Sequence, residues 1–151
     1  MLQLADDRIR ALDRPSGPTV LLHGDPWEGN TLWDGDICVG LIDWKSAGVG
    51  HAGIDLGDLR LQVGIKYGVD AAEHVLNGWQ AQSRRAATDL AYWDVVAALN
   101  TPTILYSGLA LDSHGMKLDP PAGTERRDEF LRRALDELQP SSRIPQYSRY
   151  E

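Results

Sequence analysis

His23, Asp25 and Asn30 stand in the order HxDxxxxN, with Asp25 five positions before Asn30, and Asp43 follows thirteen positions after Asn30. Phosphoryl transfer asks for these side-chain types. One carboxylate orients an attacking hydroxyl and accepts its proton, and hard oxygen ligands hold Mg2+ on the nucleotide phosphates. Asp25, Asn30 and Asp43 supply such oxygens and leave coordination positions for water and phosphate, as Mg2+ prefers. Whether they meet depends on the chain that carries them.

Thr19–Leu22 (TVLL) is a short apolar, β-prone run that feeds HGDPWEGN, where Gly24, Pro26, Gly29 and Asn30 interrupt regular structure. Residues 31–33 and 37–43 read as the strands of a tight hairpin turning through Asp34, Gly35 and Asp36. A short loop that leaves one strand and enters a hairpin can put Asp25 and Asn30 on one side, and the returning strand then delivers Asp43 beside them. After Trp44 the segment KSAGVGHAG reads as a flexible glycine loop.

The remainder is helical in pattern. Leu4, Ile9 and Leu12 mark an amphipathic helix that stops before the breaker run RPSGP. Ile54, Leu56, Leu59, Leu61, Val63 and Ile65 predict a helix closed near Gly68. Asp70 is placed to cap the next one, whose apolar face carries Ala71, Val75, Leu76 and Trp79. From Ala86 onward Leu90, Trp93, Ala97, Ile104 and Leu111 recur near helical spacing, with Pro102 expected to kink or split the helix. Residues 124–138 place Phe130, Leu131, Leu135 and Leu138 on one face, and 140–151 read as a flexible tail. The expected fold class is α+β, mostly helical: short β-hairpins carrying the chemistry, then a helical bundle.

Composition narrows the function classes. The chain has 151 residues, a length for one core, and 42% hydrophobic with 25% charged residues excludes wholesale disorder. A net charge of −7 and a pI near 5.0 have the wrong sign for holding nucleic acid or anionic lipid chiefly by non-specific attraction. Cys38 is the lone cysteine, so neither an intrachain disulfide nor a cysteine-cage zinc site can form. No signal peptide or membrane span is read, and the expectation is a reduced cytoplasmic protein.

HGDPWEGN, then GLIDW, then GHAGIDLGDL, in that order and spacing, resembles the aminoglycoside phosphotransferase family, which shares the protein-kinase-like fold. The resemblance implies that Asp25 is the catalytic base and that Asn30 and Asp43 are Mg2+ ligands, the IDW tripeptide standing where protein kinases carry DFG. It makes His23 structural, and Asp55 the acidic residue that braces the catalytic loop from the following helix. The implied donor is ATP or GTP with Mg2+, and the implied acceptor is a small-molecule hydroxyl. Aminoglycosides, other antibiotics, choline, amino-acid alcohols and sugars are all taken by relatives, and acceptor choice lives in variable helices.

The likeness covers a C-terminal lobe, residues 1–139. Kinase-like enzymes also need a loop over the phosphates and a strand-borne lysine. Lys45, Lys66 and Lys117 are the only lysines, and all lie downstream of Asp25. The expectation is therefore a truncated chain, or a lobe working with a second chain, with little transfer activity alone. Lys45 is a departure, because the position after IDW is commonly acidic in the family.

Competing readings stay open. Gly48, Gly50 and Gly53 match GxGxxG, though the preceding hairpin is the wrong context for a dinucleotide fold. His23, Asp25, Asp43 and His51 offer a transition-metal set for a hydrolase. A pseudokinase-like module would bind a partner without catalysis. Trp27 and Trp33 are expected to pack against the hairpin. Asp89, Asp94 and Asp112 read either as solvated surface or as an attraction for a cationic acceptor, and Glu28 is unassigned.

Overall fold

The computed structural model of the chain describes residues 1–103, 105 and 120–138. In chain order the described elements are α1 (Leu2–Arg10), β1 (Thr19–Leu22), β2 (Thr31–Asp34), β3 (Ile37–Leu41), β4 (Gly48–His51), α2 (Gly53–Tyr67), α3 (Ala72–Ser83), α4 (Leu90–Leu99) and α5 (Pro120–Glu137). Short 3-10 turns occupy Glu28–Asn30, Trp44–Ser46 and Val69–Ala71. The architecture is mixed and mostly helical, with two small antiparallel ladders, β1–β4 and β2–β3.

α2 is the hub, packing on α3, α4 and α5. Leu61 and Ile65, one turn apart on α2, meet Val95 and Ala98 of α4 and Phe130, Leu131 and Leu135 of α5 in a single apolar core that also takes in Ala5 of α1. A charged group, Arg60, crosses between the core helices. The Arg60 guanidinium, 6% exposed, donates from Nε to both Asp94 carboxylate oxygens at 3.2 Å, from Nη1 to the Ala72 carbonyl at 3.0 Å and from Nη2 to Glu73 at 3.1 Å. It thereby ties α2, α3 and α4 together, and its satisfied fork is what makes a buried charge tolerable there. Asp94 is thus neither solvated surface nor open to an acceptor. Asp112 lies outside the described residues.

Local sequence signals set most boundaries. α1 stops before RPSGP, β1 covers TVLL, the β2–β3 ladder turns at Gly35, and α2 closes at Gly68, whose φ of +104° suits glycine. The departures have physical causes. The glycine-rich segment is not a loop. Gly48–His51 is β4, aligned Thr19 opposite His51 and Leu22 opposite Gly48, and a methyl at Gly50 would come 2.9 Å from Leu22 Cδ1. Gly48 and Gly50 therefore serve strand pairing, which removes the dinucleotide-loop reading.

Asp70 makes no cap bond. It sits inside the 3-10 turn before α3 and pairs with Arg133 of α5 at 2.6 Å. α4 begins at Leu90 rather than at Ala86 and ends at Leu99, so among the described residues Pro102 follows the helix instead of kinking it. Ile104 and Leu111 fall outside the described residues, as does the 140–151 segment. α5 starts at Pro120, four residues earlier than its apolar periodicity indicates, because proline is well suited to the first helical position.

Candidate active site

β1 ends at buried Leu22 and hands the chain to His23, 4% exposed. The backbone N–H groups of His23 and Gly24 both donate to the Asp55 carboxylate, at 2.6 and 2.9 Å. Asp55 is the third residue of α2, so the helix N-terminus and two oriented amides share one anion. Gly24 takes φ +82°, and a Cβ there would lie 2.1 Å from the Ser46 carbonyl oxygen. Only glycine allows the loop to lie against the Trp44–Ser46 turn.

His23 Nε2 bonds the Ile42 carbonyl at 2.8 Å, and since a carbonyl only accepts, Nε2 carries the proton. The His23 ring also tilts against Trp44, with centroids 4.6 Å apart. The Ile42 N–H returns a bond to the Asn30 carbonyl at 2.9 Å. A seam of hydrogen bonds and close contacts thus fastens loop 23–30 to segment 42–46, the two stretches that carry Asp25, Asn30 and Asp43.

Within the loop, the buried Asn30 side chain donates through Nδ2 to the Asp25 carbonyl at 2.9 Å and to Asp25 Oδ2 at 3.3 Å. Those acceptors fix the orientation of the amide and leave Asn30 Oδ1 with no hydrogen bond among the described residues. Asp43 has φ 63° and ψ 55°, a left-handed conformation that costs a non-glycine residue free energy and is found where geometry serves function. Its Oδ2 accepts from Lys45 Nζ at 3.0 Å. The Lys45 ammonium is held above its usual range by the hydrogen bond and charge of Asp43, with a smaller pull from Asp25. One cation therefore already sits in the field of both carboxylates. Asn30 Oδ1 and the Asp43 carboxylate are hard oxygens, a donor chemistry that fits Mg2+.

A cavity of about 250 Å3 adjoins the loop, its wall including Gly24, Ile54, Asp55, Asp58, Trp93 and Asn100. With Asp55 and Asn100, Asp58 is one of its polar wall residues. The carboxyl is pushed up to about 6 by burial first, then by the charges of Asp25 and Asp55. It has no hydrogen bond or ion pair among the described residues. The sequence carried the signal, because Asp58 lies one turn after Asp55 on the same helix, but no local pattern marked it as enclosed.

The shift has a testable sign. The folded chain holds the Asp58 proton more tightly than the unfolded chain, whose group titrates near 3.8. The stability gained from that proton is complete below the unfolded value and is lost as pH rises through about 6. Asp58→Asn is therefore expected to stabilise the fold by about 1–2 kcal/mol at pH 8 and to be neutral near pH 3.5, allowing for partial solvent screening. Urea denaturation of both proteins at the two pH values checks this; an equal difference at both would refute it.

Trp27 is half-buried and lies over Gly29, where a methyl would sit 2.2 Å from its ring, whereas Trp33 is 58% exposed and its indole donates to Thr31 Oγ1 at 2.7 Å. Packing of Trp33 against the hairpin is thus not observed, because no layer covers that face among the described residues. His51 Nδ1 accepts from the Gly53 N–H at 3.0 Å and its ring stacks on Trp93, so it serves the start of α2. With His23 donating from Nε2 and His51 accepting at Nδ1, both histidines are engaged in backbone hydrogen bonds away from a shared metal set. No group of three or more His, Cys, Asp or Glu among the described residues is placed to hold a metal ion. Asp89 takes φ 54° just before α4 and makes no cap bond. Among the described residues no helix is long and apolar enough to cross a membrane.

Comparison with curated proteins and with solved structures returns no significant match. A family model does match. It covers residues 1–99, which span α1 to α4 and include His23, Asp25, Asn30, Asp43, Asp55 and Asp58, and its description is the phosphotransferase enzyme family. With well over half of the 151 residues matched, the chain belongs to the phosphotransferase enzyme family.

Proposed function

We propose that residues 1–139 act as the C-terminal lobe of a kinase-like phosphotransferase that moves the γ-phosphoryl group of ATP or GTP to a hydroxyl of a small-molecule acceptor in the cytoplasm. What supports this reading is the seam between loop 23–30 and segment 42–46, which sets side by side the backbone stretches that carry Asp25, Asn30 and Asp43.

In this reading Asp25 takes the acceptor proton, held in place by the Asn30 amide. Asn30 Oδ1 and Asp43 would hold Mg2+, which when bound neutralises phosphate charge. Asp55 fixes the loop through the His23 and Gly24 amides, and His23 ties it to Ile42. The acceptor enters the cavity beside Gly24, with Asp58 suited to a cationic or hydroxyl group. No lysine precedes Asp25 in this sequence, so the phosphate-positioning lysine is assigned to a nucleotide-binding lobe outside these residues, on the same or a second polypeptide.

The test is Mg2+-dependent transfer of labelled γ-phosphate to a panel of hydroxyl acceptors, with that lobe supplied where the chain alone is inactive. Absence of labelled product with every acceptor and both nucleotides once the lobe is supplied, or phosphoester hydrolysis driven by zinc without nucleotide, would overturn the reading.

Lys45 makes a second expectation. Its ammonium competes with Mg2+ for the Asp43 carboxylate, so Lys45→Ala is expected to lower the Mg2+ concentration giving half-maximal transfer by about threefold, an effect shrinking with added salt. Titration at low and high ionic strength checks it, and a rise in the required Mg2+ would contradict the competition.

One observation favours a second reading. Leu32, Trp33, Ile37 and Val39 on the β2–β3 ladder are between 48 and 68% exposed, apolar surface on the hairpin that a partner could cover without catalysis. Partner binding that survives Asp25→Asn with no detectable transfer in the parent protein would establish it.

A further inference from the structure

Glu28 lies inside the loop, three residues after Asp25 and two before Asn30, and opens the 3-10 turn that carries Asn30. Its half-buried carboxylate does not face the loop's own residues. It forms an ion pair with Lys66 and accepts from the Tyr67 hydroxyl at 2.6 Å. Lys66 and Tyr67 are the last two residues of α2, the same helix whose third residue, Asp55, holds the other end of the loop. Between Asp55 and Lys66 the helix advances roughly 16 Å. The loop is therefore anchored at its start and near its end to two turns of one rigid element.

The distal anchor is itself fixed. Arg126 of α5 donates from Nη1 to the carbonyls of Ile65 and Lys66 at 3.0 and 2.8 Å, satisfying backbone acceptors that a helix C-terminus leaves open. The Lys66 ammonium also lies 5.2 Å from the Tyr67 ring centroid, a cation–π distance that aligns the two side chains on one carboxylate. A further tie holds the turn from the other side, the Thr31 hydroxyl donating to the Glu28 carbonyl at 2.5 Å. Through these contacts the position of Asn30, and so its two bonds to Asp25, is referred to the helical core.

We propose that Glu28 is a positioning residue of the phosphotransferase site, and that Lys66 and Tyr67 latch it so that the Asn30 amide stays aligned on Asp25. The proposal rests on the phosphotransferase reading for its kinetic consequence but not for its structural one. Glu28 touches no reacting atom; its effect passes through Asn30. Release of the latch leaves the 3-10 turn free to rotate, which misaligns the base and also shifts the Asn30 oxygen assigned to Mg2+, while the nucleotide contacts assigned to the nucleotide-binding lobe are untouched.

The experiment uses the full chain. Two readouts are followed in Glu28→Gln, Lys66→Met, Lys66→Arg and the Glu28→Gln/Lys66→Met double variant. The first is the Asn30 side-chain amide resonance and its hydrogen-exchange rate in nucleotide-free protein. The expected result is that Glu28→Gln and Lys66→Met move that resonance toward free-amide values and speed exchange about tenfold, that the double variant goes no further than either single, and that Lys66→Arg stays close to the parent.

The second is intrinsic hydrolysis of Mg·ATP and Mg·GTP, with water as the probe acceptor and the nucleotide-binding lobe supplied as above. Here, at saturating Mg2+, kcat is expected to fall by about tenfold to a hundredfold with KM for nucleotide changed less than about twofold. An Asn30 amide that does not move, additive losses in the double variant, or a Lys66→Arg protein no better than Lys66→Met would overturn the latch. A moved amide with no hydrolysis even in the parent would support the latch while counting against the phosphotransferase reading, so the two fail separately.

Discussion

Asp25→Asn is expected to lower the turnover of phosphoryl transfer by about 10²- to 10⁴-fold while changing the KM for nucleotide by less than about threefold. The substitution keeps the shape of the side chain. An asparagine at position 25 still offers an oxygen to the Asn30 Nδ2 group, which now bonds Asp25 Oδ2 at 3.3 Å, and the stronger 2.9 Å bond to the residue 25 carbonyl is untouched. The loop should therefore keep its course, anchored through His23 and Gly24 on Asp55. What is lost is the ability to accept a proton from the acceptor hydroxyl as the new phosphoester bond forms.

Because that demand arises only in the transition state, the loss belongs in kcat rather than in ground-state nucleotide binding. Steady-state kinetics with varied nucleotide at saturating acceptor, using whichever assembly of this chain and a nucleotide-binding lobe supports turnover, separates the two. A metal-dependent hydrolase reading would show activity without nucleotide. Unchanged turnover in the variant would remove Asp25 from the reaction.

The sequence made this centre legible to the extent that its parts are local. TVLL, the Asp34–Gly35–Asp36 turn and the helical periods around Leu61 and Leu131 each carry their own signal within a few residues, and the corresponding elements stand where that signal put them. Asp25 and Asn30 are five positions apart and meet because one short turn separates them.

The features that escaped are those decided by partners far along the chain. Gly48–His51 has almost no strand propensity of its own and becomes β4 only because β1, some thirty residues earlier, offers a free edge. The Glu28 carboxylate finds Lys66 and Tyr67 almost forty residues away, and Arg60 finds Asp94 at a similar separation. Nothing in the local pattern of either acid distinguishes a buried partner from a solvated one. Asp58 is the intermediate case: its helical phase relative to Asp55 could be read, but its enclosure depends on where α4 lays Trp93 and Asn100.

Asp55→Ala should be the most damaging single change to the fold of the site. The carboxylate takes the His23 N–H at 2.6 Å and the Gly24 N–H at 2.9 Å, one oxygen for each donor. Alanine leaves both amides without an acceptor. Hydrogen bonds to a charged acceptor are worth roughly 1.5–3 kcal/mol each, and Gly24 is open enough for water to replace part of its share, so a net loss of about 2–4 kcal/mol is expected. For a chain of this length that lowers Tm by about 5–15 °C. The helix also loses the acid in its first turn, a smaller term of about 0.3–1 kcal/mol.

Asp55→Asn is the sharper probe. Its amide oxygen can serve one N–H, but its NH2 group then faces the other donor, so it should recover less than half of the loss despite its identical size. The ranking Asp above Asn above Ala in thermal and urea denaturation follows from the count of acceptors alone. Since Gly24 needs its φ of +82° to lie against Ser46, transfer activity should fall in the same order. An Asp55→Asn protein with Tm within about 2 °C of the parent would mean that the loop is held by the His23–Ile42 seam and not by α2, because the lost charge-assisted bond would then have cost almost nothing.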